Sequence, residues 1–390
     1  MSISSFTKKS CNKNFEIIHL TTLHPRDDAR IYIKEVKTLA SSLPHEVVLM
    51  VADGKGNEDK EQQGRVYVYD LGLLGGGRFG RFIFGSWRAF FAINKHRPTV
   101  VHFHDPELIP LAMLLKIIVC KVIYDIHEDL PRQILSKEWL PAILRKPITE
   151  FMRCLEWLAA KVFDAIVPAT PKIAERFPVD KTAIIQNFPV VKEMLGFMQV
   201  PYIQRPKAFA YAGYITKDRG IFEVVQALHM LHEINGIRLD LAGKFTQRGL
   251  EDELKLLSGW PLVRFHGWLS REQLALFLGS VRAGLVLHHP IPNEIDAQPI
   301  KLYEYMSAGL PIIASNFPLL MQIIEDVGCG LIVDPLDIKA VAAAMRWLLD
   351  HPDDAEAMGR RGRQAVLRIY NWDVEAVKLI NLYNKILDSY

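Results

Sequence analysis

Asp296, Lys301 and Glu304 lie close together in the sequence, where a short helix is predicted to begin near Ile300. Unpaired N–H groups at the start of such a helix favour a phosphate, and Lys301 stands beside them. Glu304 follows about one turn later, where its carboxylate could accept hydrogen bonds from two neighbouring hydroxyls, as on a ribose. One helix could therefore hold a diphosphate and a sugar together. The alternative is a surface helix with a solvated glutamate.

A second group of basic residues lies in and near the segment between Gly213 and Gly220, in the sequence GYITKDRG. Arg219, framed by these glycines after a predicted strand, could hold a negatively charged group there. Lys217 and Lys244 are further cations near this loop, although a solvated side chain explains Lys217 better. We therefore expect Arg219 to have a function.

In the first half of the chain, His127 and the pair His104-Asp105 each follow a predicted buried strand, at residues 121–126 and 99–103. The carboxyl ends of parallel strands meet at one edge of a sheet, where ligands bind. The His127 imidazole could there donate to a sugar hydroxyl or an acceptor oxygen. The alternative is a hydrogen-bonded histidine with a structural role, and His104-Asp105 is expected to be a wall of an acceptor pocket.

The loop after the first predicted strand offers Asp27, Asp28 and Arg30 as polar groups, and helix N-capping with surface charge explains them at least as well as ligand contact. No metal site is predicted, because the chain has no Asp-x-Asp spacing. The acidic run at residues 251–253 begins a predicted helix, where it complements the dipole. His288-His289 runs straight into a proline and lacks a zinc-like set of partners.

Short apolar runs alternate with helical periodicity along the chain, which predicts two α/β domains joined by a linker within residues 191–205. In the first domain, strands are predicted at residues 15–20, 46–51, 65–69, 99–103, 121–126, 165–168 and 183–186. In the second domain, they are predicted at residues 208–211, 238–242, 262–266, 283–287 and 311–314.

The run from Asp296 through Glu304 to Pro311 resembles the donor-binding signature of the retaining glycosyltransferases of family 4, in which glutamate usually stands at the position of Asp296. The GYITKDRG loop resembles the phosphate loop of that family, with Tyr214 in place of a usual arginine. This resemblance implies the GT-B fold, an α/β architecture in which two Rossmann-like, doubly wound domains face each other across a cleft. It also implies domain limits: residues 1–195 on the acceptor side, residues 196–370 for nucleotide-sugar binding, and a helix at residues 371–390 that crosses back.

The resemblance gives each candidate residue an expected role. The expected catalytic residues are His127, Glu304 and Asp296. The expected donor-binding residues are Gly213, Arg219, Gly220, Ile300, Lys301, Glu304 and His266, with Lys217 or Lys244 as substitutes for the missing arginine. The expected acceptor-side residues are His104, Asp105 and Arg30.

The implied activity is metal-independent transfer, with retention, of a sugar from a UDP- or GDP-linked donor to a glycan or lipid-linked acceptor. The implied setting is cell-surface polysaccharide biosynthesis, including O-antigen of lipopolysaccharide, capsule or exopolysaccharide. The nucleotide sugar is a substrate, and no cofactor is expected. Two alternatives remain open: a nucleotide-sugar epimerase of the same fold, and a non-catalytic nucleotide-binding partner of a transferase complex.

The composition argues against nucleic acid as a partner, because the net charge of the 390 residues is only +3. The start of the chain lacks a signal-peptide core, and the longest apolar run is too short to span a bilayer, which takes about 20 residues. Residues 71–104 contain basic and aromatic side chains but no acidic ones. This pattern predicts either peripheral contact with an anionic membrane or a core-facing helix with a basic outer face. We expect a cytoplasmic protein, peripheral at the inner face of the cell membrane.

Overall fold

The computed structural model describes residues 16–59, 65–73, 84–118, 121–137, 140–193 and 200–388. The chain divides into two compact units. Unit 1 comprises residues 1–128, 150–185 and 376–390, and unit 2 comprises residues 129–149 and 186–375. The division falls within two helices, Ala142–Val162 and Trp372–Asp388.

Unit 1 contains a seven-stranded sheet in the order β3-β4-β2-β1-β5-β6-β7. Its strands are β1 (Ile17–Leu20), β2 (Val47–Val51), β3 (Glu58–Asp59), β4 (Val66–Asp70), β5 (Val100–Phe103), β6 (Lys121–Ile126) and β7 (Ala165–Pro168). All neighbouring strands are parallel except β3, which is antiparallel to β4. The sequence of β2, VVLMV, is buried throughout, as expected for a parallel strand covered on both faces.

Helices cover both faces of this sheet. One begins as a π-helix, Ala29–Val36, and continues as an α-helix, Lys37–Ser42. The other helices with residues in the first two segments of unit 1 are Ser86–His96, Pro106–Leu108, Ile109–Ile118, Ala142–Val162, Pro171–Ala174 and Val179–Lys181. Ile18 and Leu20 pack in the main core, whereas His19, between them, points to the other face, where Tyr383 of the helix Trp372–Asp388 contacts it.

Unit 2 contains a six-stranded sheet in the order β10-β9-β8-β11-β12-β13, and every pair of neighbours is parallel. Its strands are β8 (Ala208–Ile215), β9 (Arg238–Phe245), β10 (Val263–Gly267), β11 (Ala283–Val286), β12 (Ile312–Ser315) and β13 (Gly330–Val333). Alternate residues of β8 enter two different cores, with Phe209 and Tyr211 in one and Ala210 and Ala212 in the other. The sheet is therefore doubly wound.

The helices of unit 2 follow the strands in alternation. They are Leu130–Ser136, Val191–Glu193, Tyr202–Gln204, Lys217–Arg219, Ile221–His229, Leu250–Lys255, Trp260–Leu262, Arg271–Gly279, Pro292–Ile295, Ile300–Ser307, Pro318–Val327, Ile338–Asp350 and Pro352–Arg368. Among the described residues, no helix combines the length and apolar character needed to cross a bilayer.

The predicted fold class is confirmed, since both sheets are parallel in their main strands and flanked by helices. The predicted strand at residues 183–186 is wrong: only an isolated bridge, at Thr182, lies just before the segment. The N–H groups of Ala183 and Ile185 donate to the carbonyls of Ile166 and Pro168, but Pro168 has no N–H to return a bond, so a regular ladder does not form. The predicted boundary between residues 195 and 196 lies outside the described residues, and the predicted domain limits stay predictions.

Candidate active site

Two glycines with positive φ lie between β8 and the helix Ile221–His229: Gly213 near the end of the strand, and Gly220 directly before the helix. At Gly220, φ is +67°, and a Cβ would lie 2.3 Å from the carbonyl oxygen of Leu287, so any side chain would collide with that backbone. At Gly213, φ is +112°, and a Cβ would meet no atom within 4 Å. The backbone therefore packs closely at Gly220, whereas the space beside the Cα atom of Gly213 is open.

Lys301 is a buried cation on the helix Ile300–Ser307, with 7% of its surface exposed. Its Nζ has no hydrogen-bond partner among the described residues, although it lies 4.5 Å from the centroid of the Tyr211 ring. Burial and the nearby charge of Arg219 lower the pKa of Lys301 to about 7, against a smaller opposing effect of Glu294. An anion bound here would gain an ammonium that the protein itself leaves uncompensated.

Glu304 lies on the same helix and is also buried. Its Oε1 accepts a hydrogen bond of 2.6 Å from Nη1 of Arg271, whose Nε lies 3.3 Å from Glu193. Pro299 precedes the helix without a side-chain cap, so Ile300 begins a helix whose first N–H groups receive no capping side chain. The predicted helix start and Glu304 are thus brought together with Lys301 and Arg219 in unit 2.

Three other predicted residues of unit 2 have protein partners instead. Asp296 forms an ion pair with Arg132. His266 Nε2 lies 3.1 Å from Oδ1 of Asp240 and is half-buried at the end of β10. Lys217, a predicted substitute for the missing arginine, pairs with Glu253 at 2.6 Å.

Sequence reasoning missed Glu294 and dismissed His288. Oε2 of Glu294 lies 2.5 Å from Nδ1 of His288, and His288 is buried. Burial and the charge of Lys301 lower the pKa of His288 to about 4, so its imidazole is neutral at pH 7 despite Glu294. The signal in the sequence was weak, because neither residue stands at a metal-like or motif-like spacing from the other.

In unit 1, Asp125 at the end of β6 accepts hydrogen bonds from three predicted site residues. Arg30 donates to both carboxylate oxygens, at 3.0 and 2.7 Å. Nδ1 of His104 and Nε2 of His127 both contact Oδ2, at 3.0 and 2.9 Å. Burial alone would raise the pKa of Asp125, but Arg30 and His127 hold it well below its ordinary value.

The predicted acceptor-side residues are all buried. Arg30 is 3% exposed, and its guanidinium contacts Asp125 and the carbonyl of Ile185. Asp105 accepts a backbone hydrogen bond from Thr22 and a side-chain hydrogen bond from Thr21, so it fixes the loop after β1. His127 retains some exposure, 17% of its side chain. Direct contact of Arg30, His104 and Asp105 with an acceptor stays a prediction.

His24 is a neighbour of His127 that sequence reasoning missed, and their ring centroids are 4.9 Å apart. Its Nδ1 lies 3.2 Å from Asp28. Burial lowers the pKa of His24, but Asp28 and Asp105 outweigh it, so the net pKa is raised. Asp28 also accepts from the N–H groups of Arg30 and Ile31, which agrees with the N-capping alternative.

Among the described residues, one group could hold a metal ion: Glu35, His102, His104 and Asp125, whose ligand atoms lie within 4.8 Å of one another. Arg30 already donates to both oxygens of Asp125, so part of the negative charge that would attract a cation is neutralised. The group lies in unit 1, whereas the candidate phosphate ligands lie in unit 2.

Comparison with known proteins agrees with this architecture. Residues 199–365 match the family "Glycosyl transferases group 1", and residues 29–187 match "Glycosyltransferase Family 4". A glycogen synthase of Mycobacterium tuberculosis is 23% identical over 74% of this chain and 69% of its own. The O-antigen chain mannosyltransferase B of Escherichia coli is 25% identical over 60% of this chain and 57% of its own.

Solved structures share the fold across nearly the whole chain. A sucrose-phosphate synthase from Thermosynechococcus elongatus superposes with a TM-score of 0.77, at 17% identity, over 96% of this chain and 100% of its own. Anabaena HepE in complex with UDP and glucose superposes with a TM-score of 0.70, at 11% identity, over 95% of this chain and 100% of its own. The fold is that of the GT-B superfamily. The first part of the chain is similar to a glycosyltransferase family 4 domain and the second part to a glycosyltransferase group 1 domain, and the relatives support a transferase.

Proposed function

We propose that this protein is a retaining glycosyltransferase that moves a sugar from a nucleotide-sugar donor to a glycan or lipid-linked acceptor. The observation that carries the proposal is the buried Nζ of Lys301, which has no hydrogen-bond partner among the described residues and lies near Arg219. A diphosphate would supply the missing acceptor oxygens and the opposite charge. Glu304, three residues further along the helix, would then receive the ribose hydroxyls in place of Arg271.

The donor is proposed to be UDP- or GDP-linked. Anabaena HepE, which shares the fold, was solved with UDP and glucose, and this supports a nucleotide sugar. Arg219 and Lys301 would stabilise the charge that develops on the leaving diphosphate. We therefore also propose that transfer needs no divalent cation, so that the initial rate should be unchanged by EDTA. A rate lost in EDTA and restored by Mg²⁺ or Mn²⁺ would contradict this part of the proposal.

The setting is proposed to be the cytoplasmic side of the cell membrane, in surface-polysaccharide assembly; the relative named as an O-antigen chain mannosyltransferase supports this. Three helices of unit 1, Ser86–His96, Ile109–Ile118 and the later part of Ala142–Val162, pack into one core by their inner faces. Large apolar side chains remain exposed on these helices. They include Trp87, Phe91, Ile117, Phe151 and Trp157.

Exposed apolar and basic side chains on one layer of helices suit an anionic lipid surface. The exposed basic residues of this layer include Arg88, Lys95, Arg153 and Lys161. Flotation with anionic vesicles should recover the protein, and less of it at high salt. The double change Trp87→Ser and Phe91→Ser should reduce recovery. Val179→Ser, which removes another exposed apolar side chain of unit 1, is the control, and equal recovery of all variants would contradict membrane contact.

Calorimetry against a panel of nucleotide sugars, followed by product analysis with and without acceptor glycans, tests the transferase proposal. We expect one donor to bind clearly more tightly and its sugar to appear on an acceptor with unchanged anomeric configuration. An isomerised donor in the reaction without acceptor would instead identify an epimerase. Tight binding without turnover on any acceptor would identify a non-catalytic partner.

A further inference from the structure

We infer that Asp125 is a positioning residue that fixes His127 in one tautomer, with the hydrogen on Nε2 and the Nδ1 lone pair available to a hydroxyl group. The inference rests on the proposed function only for its meaning in catalysis. It gives His127 a defined hydrogen-bonding role, which is to accept at Nδ1 rather than donate there.

The first step follows from the carboxylate of Asp125, which is ionised and can only accept. Nε2 of His127 lies 2.9 Å from Oδ2, so it must carry a hydrogen, because a bare Nε2 would place two lone pairs against each other. Nδ1 of His104 lies 3.3 Å from the same Nε2 but only 3.0 Å from Oδ2, so the carboxylate is the better acceptor for His104 as well. Arg30 donates to both oxygens and keeps the carboxylate in place.

The second step assigns the donor and the acceptor of each hydrogen bond among the other buried histidines, starting from His104. With its hydrogen on Nδ1, a neutral His104 accepts at Nε2, which lies 3.0 Å from Nδ1 of His19. His19 then accepts at Nε2 from the hydroxyl of Tyr383, 3.1 Å away. The Tyr383 oxygen accepts from Nδ1 of His102 at 2.9 Å. Burial lowers the pKa of His19, His102 and His104, which agrees with neutral rings throughout.

These contacts form one directed chain of hydrogen bonds, from His102 through Tyr383, His19 and His104 to Asp125. The three inner members, Tyr383, His19 and His104, each donate one hydrogen bond and accept another, so reversing either of these histidine rings would set two donors or two lone pairs against each other. This chain of hydrogen bonds therefore directs the Nδ1–H of His104 towards Asp125. Oδ2 of Asp125 acts only as an acceptor. His127 also contacts this oxygen through Nε2 and retains exposed surface, and its Nδ1 has no hydrogen-bond partner among the described residues.

A bound metal ion would be incompatible with this arrangement. A metal ion bound by His104 would need one of its two ring nitrogens, and both already take part in the chain of hydrogen bonds. A divalent metal ion at His102 and Glu35 would lie close to the positive charge of Arg30, whose Nε is 3.2 Å from Glu35. The test therefore includes a measurement of how much metal the purified protein contains.

The experiment is nuclear magnetic resonance of the full chain with ¹⁵N-labelled histidine at pH 7.5, using long-range proton–nitrogen correlations. The His127 signals are identified by their loss in His127→Gln. We expect the hydrogen of His127 on Nε2, which faces Asp125, and none on Nδ1. A ring protonated on Nδ1, or one metal ion bound per chain in elemental analysis, would overturn the inference.

Two variants separate positioning from folding. Asp125→Asn should disturb the His127 tautomer and lower kcat by about 10²–10⁴-fold with little change in nucleotide affinity. Because this change leaves Arg30 without its carboxylate, Tyr383→Phe serves as the milder variant: it removes the hydroxyl donor to His19 and should alter the His19 ring but not the His127 tautomer. Unchanged His19 signals in Tyr383→Phe would contradict the directed chain.

The tautomer measurement needs no substrate, so it separates this inference from the proposed function. The expected tautomer in a protein that transfers no sugar would overturn the function alone. The other tautomer in an active transferase would overturn the inference alone.

Discussion

Asp125 in unit 1 and Lys301 in unit 2 are both buried charged groups, but their surroundings differ. Asp125 accepts hydrogen bonds from Arg30, His104 and His127. Nζ of Lys301 has no hydrogen-bond partner among the described residues, and the nearby Arg219 adds charge of the same sign. Unit 1 neutralises its buried charge within the protein, whereas unit 2 retains a buried cation that a bound anion could neutralise.

This difference separates two tasks that one site could have combined. A group whose partners are complete is held in one orientation before any ligand arrives, as catalysis requires. A group without a partner gains most when a ligand binds. We therefore expect changes at the unit 1 site to affect turnover, and changes at the unit 2 site to affect nucleotide affinity.

The largest expected effect is on turnover. His127→Ala should lower kcat by about 10²–10⁴-fold, because a positioned imidazole is lost. Nucleotide affinity, measured by calorimetry on the same preparation, should stay within about twofold, since the proposed nucleotide contacts belong to unit 2. His45→Ala, which removes a histidine paired with Glu16 elsewhere in unit 1, is the control. A folded His127→Ala protein with near-normal turnover would return His127 to a structural role.

Lys301→Met should lower nucleotide affinity by about 100-fold, because charge-assisted hydrogen bonds to phosphate contribute roughly 1.5–3 kcal/mol each. The same change should raise the free energy of unfolding of the free protein by roughly 1–4 kcal/mol, because it removes a buried charge without a hydrogen-bond partner among the described residues. Chemical unfolding measures the second effect. Lys339→Met, at an exposed lysine of the helix Ile338–Asp350 in the same unit, should change neither quantity much. Loss of stability in Lys301→Met would break the comparison between the two units.

Glu304→Ala should lower nucleotide affinity by at least about tenfold, because the ribose would lose hydrogen bonds to a charged acceptor. The effect should be smaller than that of Lys301→Met, since Arg271 already occupies this carboxylate and must be displaced. Glu272→Ala, beside Arg271 on the helix Arg271–Gly279, is the matched control. Affinity unchanged by Glu304→Ala in calorimetry would rule out the ribose contact.

Nucleotide-sugar affinity should also depend on pH, with an effect of at most tenfold per pH unit. Burial and Arg219 lower the pKa of Lys301 to about 7 in the free protein, and a bound diphosphate should raise it. Affinity should thus be constant below pH 7 and fall as the pH rises above 7, where binding must take up a proton. Calorimetry at pH 6.5 and 8.5 measures this, and Lys301→Met should remove the dependence. An affinity that rises with pH would have the wrong sign.

Much of unit 2 could be predicted from the sequence because its candidate ligands are local. Lys301 and Glu304 lie on one helix of eight residues, and Arg219 follows β8, so periodicity and spacing place these three residues on the predicted elements. Gly213 was predicted to follow this strand but lies within it, because β8 extends to Ile215. The ion pair between Asp296 and Arg132 escaped prediction, because it joins residues from distant segments of the chain.

Unit 1 was harder to predict for the same physical reason. Strand ends placed His104 and His127 at one edge of the sheet, but the contact between His19 and Tyr383 joins residues 364 positions apart, which no local pattern contains. The strand predicted at residues 183–186 failed because apolar residues indicate burial, whereas strand pairing also depends on the backbone donors of the neighbouring strand. That neighbour, β7, ends at Pro168, which has no N–H to donate.

Tyr383 belongs to unit 1, although unit 2 supplies nearly all of the chain between it and residue 185. A ribosome makes the chain from its N-terminus, so residues 186–375 must be translated before Tyr383 can reach His19. The apolar core of unit 1 lies within residues 18–177 and can form early, as is usual for an N-terminal domain, whereas the hydrogen bond from Tyr383 to His19 forms only after unit 2 has been made. A chain truncated before residue 383 should therefore keep the sheet of unit 1 but lack the hydroxyl group that orients His19.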